Sequence, residues 1–138
     1  MYVWIRSIPA IIWMAVIFIS SHQSGEAIEE GVLVWVQTIL PFLKDLNFAH
    51  FISYFILALT VYFALGSKWM NIRGKLLCVM ICLLYGITDE FHQSFIPGRT
   101  PDLMDLVNDV IGAALAMLFV KIKPVHQFFV RIAEGKKY

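Results

Sequence analysis

Long apolar runs separated by short polar segments dominate the pattern of the chain. Three of these runs, over residues 2–20, 48–66 and 103–120, are long enough for a helix that crosses the roughly 30 Å hydrocarbon core of a membrane. An abrupt polar stretch over residues 20–25 ends the first run. We therefore predict a membrane-spanning helix in each run.

A fourth apolar run is too short to cross a membrane unless it includes polar residues. The apolar or neutral part covers only residues 76–88, which as a helix rises roughly 20 Å. Extending the helix over residues 76–95, up to the break at Pro97 and Gly98, gives a normal span. The extension carries four polar side chains into the membrane: Asp89, Glu90, His92 and Gln93.

The segment between the first two runs has a different character. Residues 25–45 open with three glutamates, contain Trp35, and are interrupted by Pro41. This pattern is typical of an amphipathic segment lying in the membrane interface. The first run also resembles a cleaved signal peptide, but further spans follow it, which favours an uncleaved helix.

Composition supports a membrane protein with a single domain. Apolar residues make up 59% of the 138 residues and charged residues 15%, with a mean hydropathy of +0.74. A soluble domain of this size needs a more polar surface, and no basic stripe suits nucleic acid. Cys78 and Cys82 lie four residues apart within an apolar run, so we expect them to pack inside the bundle.

The basic residues predict the orientation of an all-α bundle of four spans. Four spans place both termini on one side, and nine of the 11 lysines and arginines fall on that side. Only Lys44 and Arg99 fall on the other. By the positive-inside rule both termini are cytoplasmic. All acidic residues except Glu134 then lie on the outer side or in the outer half.

This topology gathers the residues suited to chemistry at the outer end of the bundle. A charge deep in hydrocarbon costs on the order of 2.5–3.5 kcal/mol, so several such groups predict a functional pocket. The candidate catalytic residues are Glu90, His92, Asp89 and Asp105, and the candidate substrate-binding residues are Arg99, Gln93, Asn108, His50 and Tyr54. The same end also receives His22, Asp102 and Asp109.

Helical spacing assigns roles within this set. Asp89 and His92 are three residues apart and share a face, whereas Glu90 is turned by about 100° from Asp89. A carboxylate beside an imidazole suits acid or base work, which makes Glu90 and His92 the candidates. Asp105 and Asn108 would orient them. Arg99 would hold a phosphate, or would instead pair with an aspartate and fix the turn.

Several alternatives remain open. No cofactor is expected, but His50, His92, Asp89, Glu90 and Asp105 could supply nitrogen and oxygen ligands to a divalent metal. Another hypothesis is a serine nucleophile, at Ser20 or Ser21, beside His22. His50 and Tyr54 could form a buried polar network. Chains of intramembrane acids also occur in proton-coupled transporters, and a polar network can serve structure alone.

The polar motifs resemble the VanZ-like family of membrane proteins. The family pattern is an Asp-Glu-x-His-Gln segment, a Pro-Gly-Arg turn and an Asp-x-x-Asn helix that leads to small residues. This chain has them as Asp89-Glu90-Phe91-His92-Gln93, Pro97-Gly98-Arg99 and Asp105-Leu106-Val107-Asn108, with Ser20-Ser21 and His50-Phe51-x-x-Tyr54 in further matching positions. Leu46 and Asn47 stand where the family commonly has a lysine.

The resemblance implies a single VanZ-like domain over residues 1–138, in the cytoplasmic membrane of a bacterium with its pocket outside. The family is named for a member that confers low-level resistance to teicoplanin, a lipoglycopeptide. The expected partners are membrane lipids, a lipid-linked cell-wall precursor or the lipoglycopeptide itself. We expect binding of such an amphiphilic molecule, with its chemical modification left open.

Overall fold

The computed structural model describes residues 3–22 and 46–135, and every regular element in these two ranges is helical. The predicted all-α fold is confirmed for this part of the chain. A short 3-10 turn, Ser67–Trp69, separates the second and third helices. The helices are α1 (Val3–Ser21), α2 (Leu46–Leu65), α3 (Ile72–Gln93), α4 (Leu103–Phe119) and α5 (Lys123–Glu134). The predicted interfacial segment, residues 25–45, lies outside the described ranges.

The third helix begins earlier than the hydrophobic pattern predicts. The side chain of Asn71 accepts hydrogen bonds from the backbone N–H groups of Arg73 and Gly74, and this cap satisfies two donors that a helix start leaves open. Residues 72–75 therefore form the first turn of α3, and the predicted helix start at residue 76 was wrong. The helix ends at Gln93, and a turn occupies residues 94–98.

Helix α2 lies at the centre and contacts α1, α3 and α4. Its inner side chains Tyr54, Leu57, Ala58 and Tyr62 are fully buried. The α2 and α4 backbones approach closely at Gly112, where an added Cβ would lie 2.3 Å from the carbonyl oxygen of Phe51. Small residues permit such backbone approach in membrane helices.

Polar side chains inside the bundle tie α1 and α3 to their neighbours. The indole Nε1 of Trp13 donates a hydrogen bond to the carbonyl oxygen of Ser53 at 2.8 Å, so Trp13 packs against α2. The hydroxyl of Tyr85 donates to the carbonyl oxygen of Met14 at 2.6 Å. Cys78 and Cys82 are free and buried, and the Cys78 Sγ donates to the carbonyl oxygen of Ala58. Their predicted structural position is confirmed.

The outer faces of the helices are apolar. On α3 and just beyond its end, six large exposed side chains recur every three or four residues: Leu76, Met80, Leu84, Ile87, Phe91 and Phe95. A similar stripe on α4 contains Met104, Val107, Ile111, Leu115 and Leu118. Continuous apolar surface of this kind is rare on soluble monomers. The exterior is compatible with a membrane protein.

Two described helices are long and apolar enough to cross a membrane by themselves. They are α1, over Trp4–Ser21, and α2, over Phe48–Leu65. A third span results if α4 and α5 are taken together, although the chain bends by 91° between them. Helix α5 buries Phe129 and Ala133 against the rest of the bundle.

The two ends of the bundle differ in charge. At one end, Nη1 of Arg6 donates to the carbonyl oxygen of Ala133 at 3.2 Å, and the Arg6 side chain covers Gly66, which has a φ of 78°. The start of α1, the turn after α2 and helix α5 therefore meet there; we name this the basic end. The end of α1, the start of α2, the end of α3 and the start of α4 form the opposite, acidic end.

Candidate functional site

His50 lies between two aspartates of α4 at the acidic end. Its Nδ1 is 3.1 Å from Oδ1 of Asp109, a hydrogen bond in which the imidazole N–H donates to the carboxylate. Its Nε2 is 3.8 Å from Oδ2 of Asp105, which is too long for a hydrogen bond. The arrangement follows from spacing, because Asp105 and Asp109 are one turn apart on the face of α4 that meets α2.

Glu90 completes this group from α3. Its Oε2 accepts a hydrogen bond from the backbone N–H of Asp102 at 2.9 Å, while Oε1 is buried without a hydrogen-bond partner. One ligand atom each from His50, Glu90 and Asp105 lie within 4.8 Å of one another. We name His50, Glu90, Asp105 and Asp109 the acid–histidine cluster. It joins three consecutive helices, α2, α3 and α4.

Tyr54 and Gly86 form the inner wall of the cluster. The Tyr54 ring stacks near His50 with centroids 6.4 Å apart, and its hydroxyl is buried without a hydrogen-bond partner. Gly86 admits Asp109, since a Cβ there would lie 2.8 Å from Asp109 Oδ2. That oxygen also has no partner. Unpaired buried oxygens are costly, so each calls for an explanation.

Asp89 belongs to a second polar group that connects α3 to α1. Its Oδ2 accepts hydrogen bonds from the Ser21 hydroxyl at 2.9 Å and from Nε2 of Gln93 at 3.2 Å. All three residues are buried. We name them the serine–aspartate group. Asp89 thus points toward α1 while Glu90 points toward α4, as their predicted angular separation requires.

His92 also faces α1. Its Nε2 lies 3.2 Å from Nδ1 of His22, and its ring stacks on Phe18 with centroids 4.3 Å apart. The sequence predicted that His92 and Glu90 act together as acid and base. Their described contacts are different, because His92 faces α1 and Glu90 does not. The imidazole pair lies at the exposed margin of the acidic end.

Arg99 lies in the turn between α3 and α4, and Asn108 lies on α4 next to Asp109 of the cluster. Arg99 is half-buried, and its backbone N–H donates to the carbonyl oxygen of Ile96. Asp102 caps α4 by accepting from the backbone N–H of Met104 at 2.8 Å. Asn108 is half-buried one residue before Asp109. Both roles predicted for Arg99, as a phosphate contact or as a lock on the turn, stay predictions.

Two residues absent from the predicted site occupy central positions in the structure. Asp109 is fully buried and accepts a hydrogen bond from His50. The sequence feature that could have identified Asp109 is its spacing of one helical turn from Asp105. Ser21 was weighed only as a nucleophile, yet its hydroxyl donates to Asp89. Hydrophobic periodicity gives each helix a polar face but does not identify which neighbour that face meets.

The acid–histidine cluster can bind a hydrogen-bond donor or a cation. His50 is oriented by Asp109 so that Nε2 faces Asp105, and Glu90 and Asp109 each offer an unpaired oxygen. Such a set can accept hydrogen bonds from hydroxyl or amine groups, exchange protons with them, or bind a cation. The described partner of the Ser21 hydroxyl is the carboxylate of Asp89 and not a histidine.

Comparison with known proteins agrees with the motifs. The family model VanZ/LLP1 matches residues 7–124. An uncharacterized protein of Schizosaccharomyces pombe is 36% identical over 70 residues, which cover 50% of this chain and 42% of that protein. The chain therefore spans less than half the length of this curated relative. No solved structure matches the chain. Since this match covers most of the 138 residues, the chain belongs to the VanZ/LLP1 family.

Proposed function

We propose that the protein is a multi-pass membrane protein with four spans, α1 to α4, and with both termini in the cytoplasm. The apolar stripes on α3 and α4 support this arrangement, because they run along both helices where lipid would lie. The separation of charge supports the orientation. Basic side chains gather where α1 begins and α5 ends, and the acid–histidine cluster lies at the opposite end.

The proposed function is recognition of an amphiphilic molecule of the cell envelope at the outer side of the membrane. The observation that carries it is the gathering of His50, Glu90 and Asp109 from three helices, with unpaired buried oxygens on Glu90 and Asp109. Intramembrane ionisable groups are costly and mark sites for substrates or ions. A polar head would enter this cluster while its acyl chains follow the exposed stripe of α3.

Five of the predicted site residues have further roles in this proposal. Arg99 binds an anionic part of the head, and Asp105 with Asn108 orients the polar groups next to it. If the bound molecule is modified, Glu90 and His92 act as acid and base on different sides of the head, because their described contacts diverge. His22 then takes part through its contact with His92.

Membrane lipid is the ligand class that we favour over a cell-wall precursor. The relative in Schizosaccharomyces pombe belongs to a yeast, and yeasts build no peptidoglycan, whereas phospholipids occur in both yeasts and bacteria. Resistance to teicoplanin, which the family name implies, would then follow indirectly from altered lipid at the outer surface. Binding of the lipoglycopeptide itself is the competing explanation.

Native mass spectrometry of the full chain in detergent tests the proposal. Phosphatidylglycerol, phosphatidylethanolamine and teicoplanin are added separately to wild-type protein, to Glu90→Gln and to His92→Ala. Matched controls are Glu134→Gln and His126→Ala, which change the same residue types on α5. We expect one of the two phospholipids to bind with one molecule per chain. Its binding should be at least about tenfold weaker for Glu90→Gln and for His92→Ala, equivalent to roughly 1.4 kcal/mol. Equal lipid binding by all five proteins would reject the proposal.

Thermal stability separates a binding site from a purely structural network. Glu90 carries an unpaired buried oxygen, so Glu90→Gln should keep or raise the melting temperature while it weakens binding. A structural network would lose stability and binding together. Teicoplanin tolerance of cells that express each variant gives the matching phenotype.

A further inference from the structure

We propose that His50, Glu90 and Asp105 bind one divalent transition-metal ion, with Asp109 as the outer partner that orients the histidine. This inference goes beyond the proposed function, because it concerns an ion bound by the protein alone. It favours the metal alternative over the expectation that no cofactor is present. The donors are one imidazole nitrogen and two carboxylates from α2, α3 and α4.

The distance between His50 and Asp105 suits two ligands of one metal ion better than it suits a direct hydrogen bond. His50 Nε2 and Asp105 Oδ2 are 3.8 Å apart, beyond hydrogen-bond range. Ligand atoms that share an ion at about 2.1 Å each lie roughly 3–4 Å from one another. The three donors already lie within 4.8 Å of each other, so side-chain movement of about 1 Å closes them around an ion.

The hydrogen bond between His50 and Asp109 is the arrangement that metal-binding histidines use. Donation from Nδ1–H to the Asp109 carboxylate fixes the tautomer and leaves the Nε2 lone pair directed at the other two donors. Asp109 is fully buried, as an orienting carboxylate behind a ligand would be. The backbone N–H of Asp102 holds Glu90 in the same way through Oε2.

Independent support comes from the free oxygen of Glu90. The residue is only 9% exposed, and its Oε1 has no hydrogen-bond partner. Leaving a buried carboxylate oxygen unpaired is unfavourable unless something binds it. A metal ion at the convergence of the three donors would bind it directly. The imidazole ligand favours Zn²⁺ or Mn²⁺ over Mg²⁺ and Ca²⁺, which prefer all-oxygen sites.

Metal titration of the full chain tests the site. The protein is purified in detergent through a tag without histidine, stripped with a chelator, and titrated with ZnCl₂, MnCl₂ and MgCl₂ by calorimetry. We expect one Zn²⁺ or Mn²⁺ per chain. His50→Ala, Glu90→Gln and Asp105→Asn should each weaken binding by more than about 100-fold, and Asp109→Asn by roughly 10–100-fold. His126→Ala and Glu134→Gln should bind as wild type does.

A second measurement guards against misfolded variants. Bound metal should raise the melting temperature of wild-type protein and of both controls but not that of the three ligand variants, whose stability without metal is measured in parallel. Visible absorption of bound Co²⁺ should change in Asp109→Asn. Wild-type protein that is folded yet binds no divalent metal would overturn the inference, as would undiminished binding by all three ligand variants. Neither result depends on lipid binding, so failure here and failure of the proposed function are distinguishable.

Discussion

Nδ1 of His50 lies 3.1 Å from Oδ1 of Asp109, and this bond joins helices α2 and α4 where Asp109 is fully buried. Asp109→Ala should lower the free energy of unfolding by about 3 kcal/mol, because it leaves the Nδ1–H group of His50 without the carboxylate that accepts its hydrogen bond. Asp109→Asn should cost only about 1 kcal/mol, since the amide oxygen still accepts from His50. Thermal unfolding in detergent checks the order of the two variants, and equal losses would contradict it.

Replacement of Gly112 should separate α2 from α4. The added Cβ would lie 2.3 Å from the carbonyl oxygen of Phe51, and backbone atoms cannot rotate away. We expect Gly112→Ala to destabilise the protein by at least about 3 kcal/mol, the upper end for overpacking. Ile111→Ala is the control, because Ile111 is exposed on the same helix. Cys78 and Cys82 are free and fully buried, so labelling by a thiol-reactive dye reports unfolding.

The bond between Ser21 and Asp89 should stabilise the contact of α1 with α3. Ser21→Ala removes a buried 2.9 Å hydrogen bond and should cost about 1 kcal/mol. Ser20→Ala changes the exposed neighbouring serine and should stay within about 0.5 kcal/mol of wild type. A double-mutant cycle with Asp89→Asn should show coupling between the two positions, and strict additivity would mean that the bond does not contribute.

Single cysteines should reveal the orientation of the four proposed spans. Thr100→Cys lies in the turn between α3 and α4, and Lys68→Cys lies in the turn after α2. A membrane-impermeant maleimide should label the first in intact cells and the second only after the membrane is opened. Cys78 and Cys82 are buried and should give little background. Labelling of both positions from outside would exclude the proposed topology.

The sequence predicted the helices well because apolar length and turn residues are local signals. The end of the third helix near Pro97 and the position of the fourth helix both followed from such signals. The start of the third helix did not, because the Asn71 cap allows a helix to begin in a polar segment. The gathering of acidic residues at one end followed from topology.

Pairing between helices was the part that the sequence could not supply. Helical spacing showed that Asp89 and Glu90 diverge, yet only the packing shows that one meets Ser21 and the other meets Asp102. The partner of His92 proved to be His22, 70 positions away. Such contacts depend on how helices rotate against each other, which is decided by the shapes of many small side chains at once.

The contact between Gly112 and Phe51 has a consequence for recognition. Because these two backbones meet directly, α2 and α4 have little freedom to slide, and His50 and Asp109 keep their relative positions. The donor atoms are thus preorganised, so an incoming ion or polar head meets a surface that needs little further ordering. Because folding already orders these side chains, binding of an ion or polar head costs little further conformational entropy. A few contacts can therefore give a useful affinity.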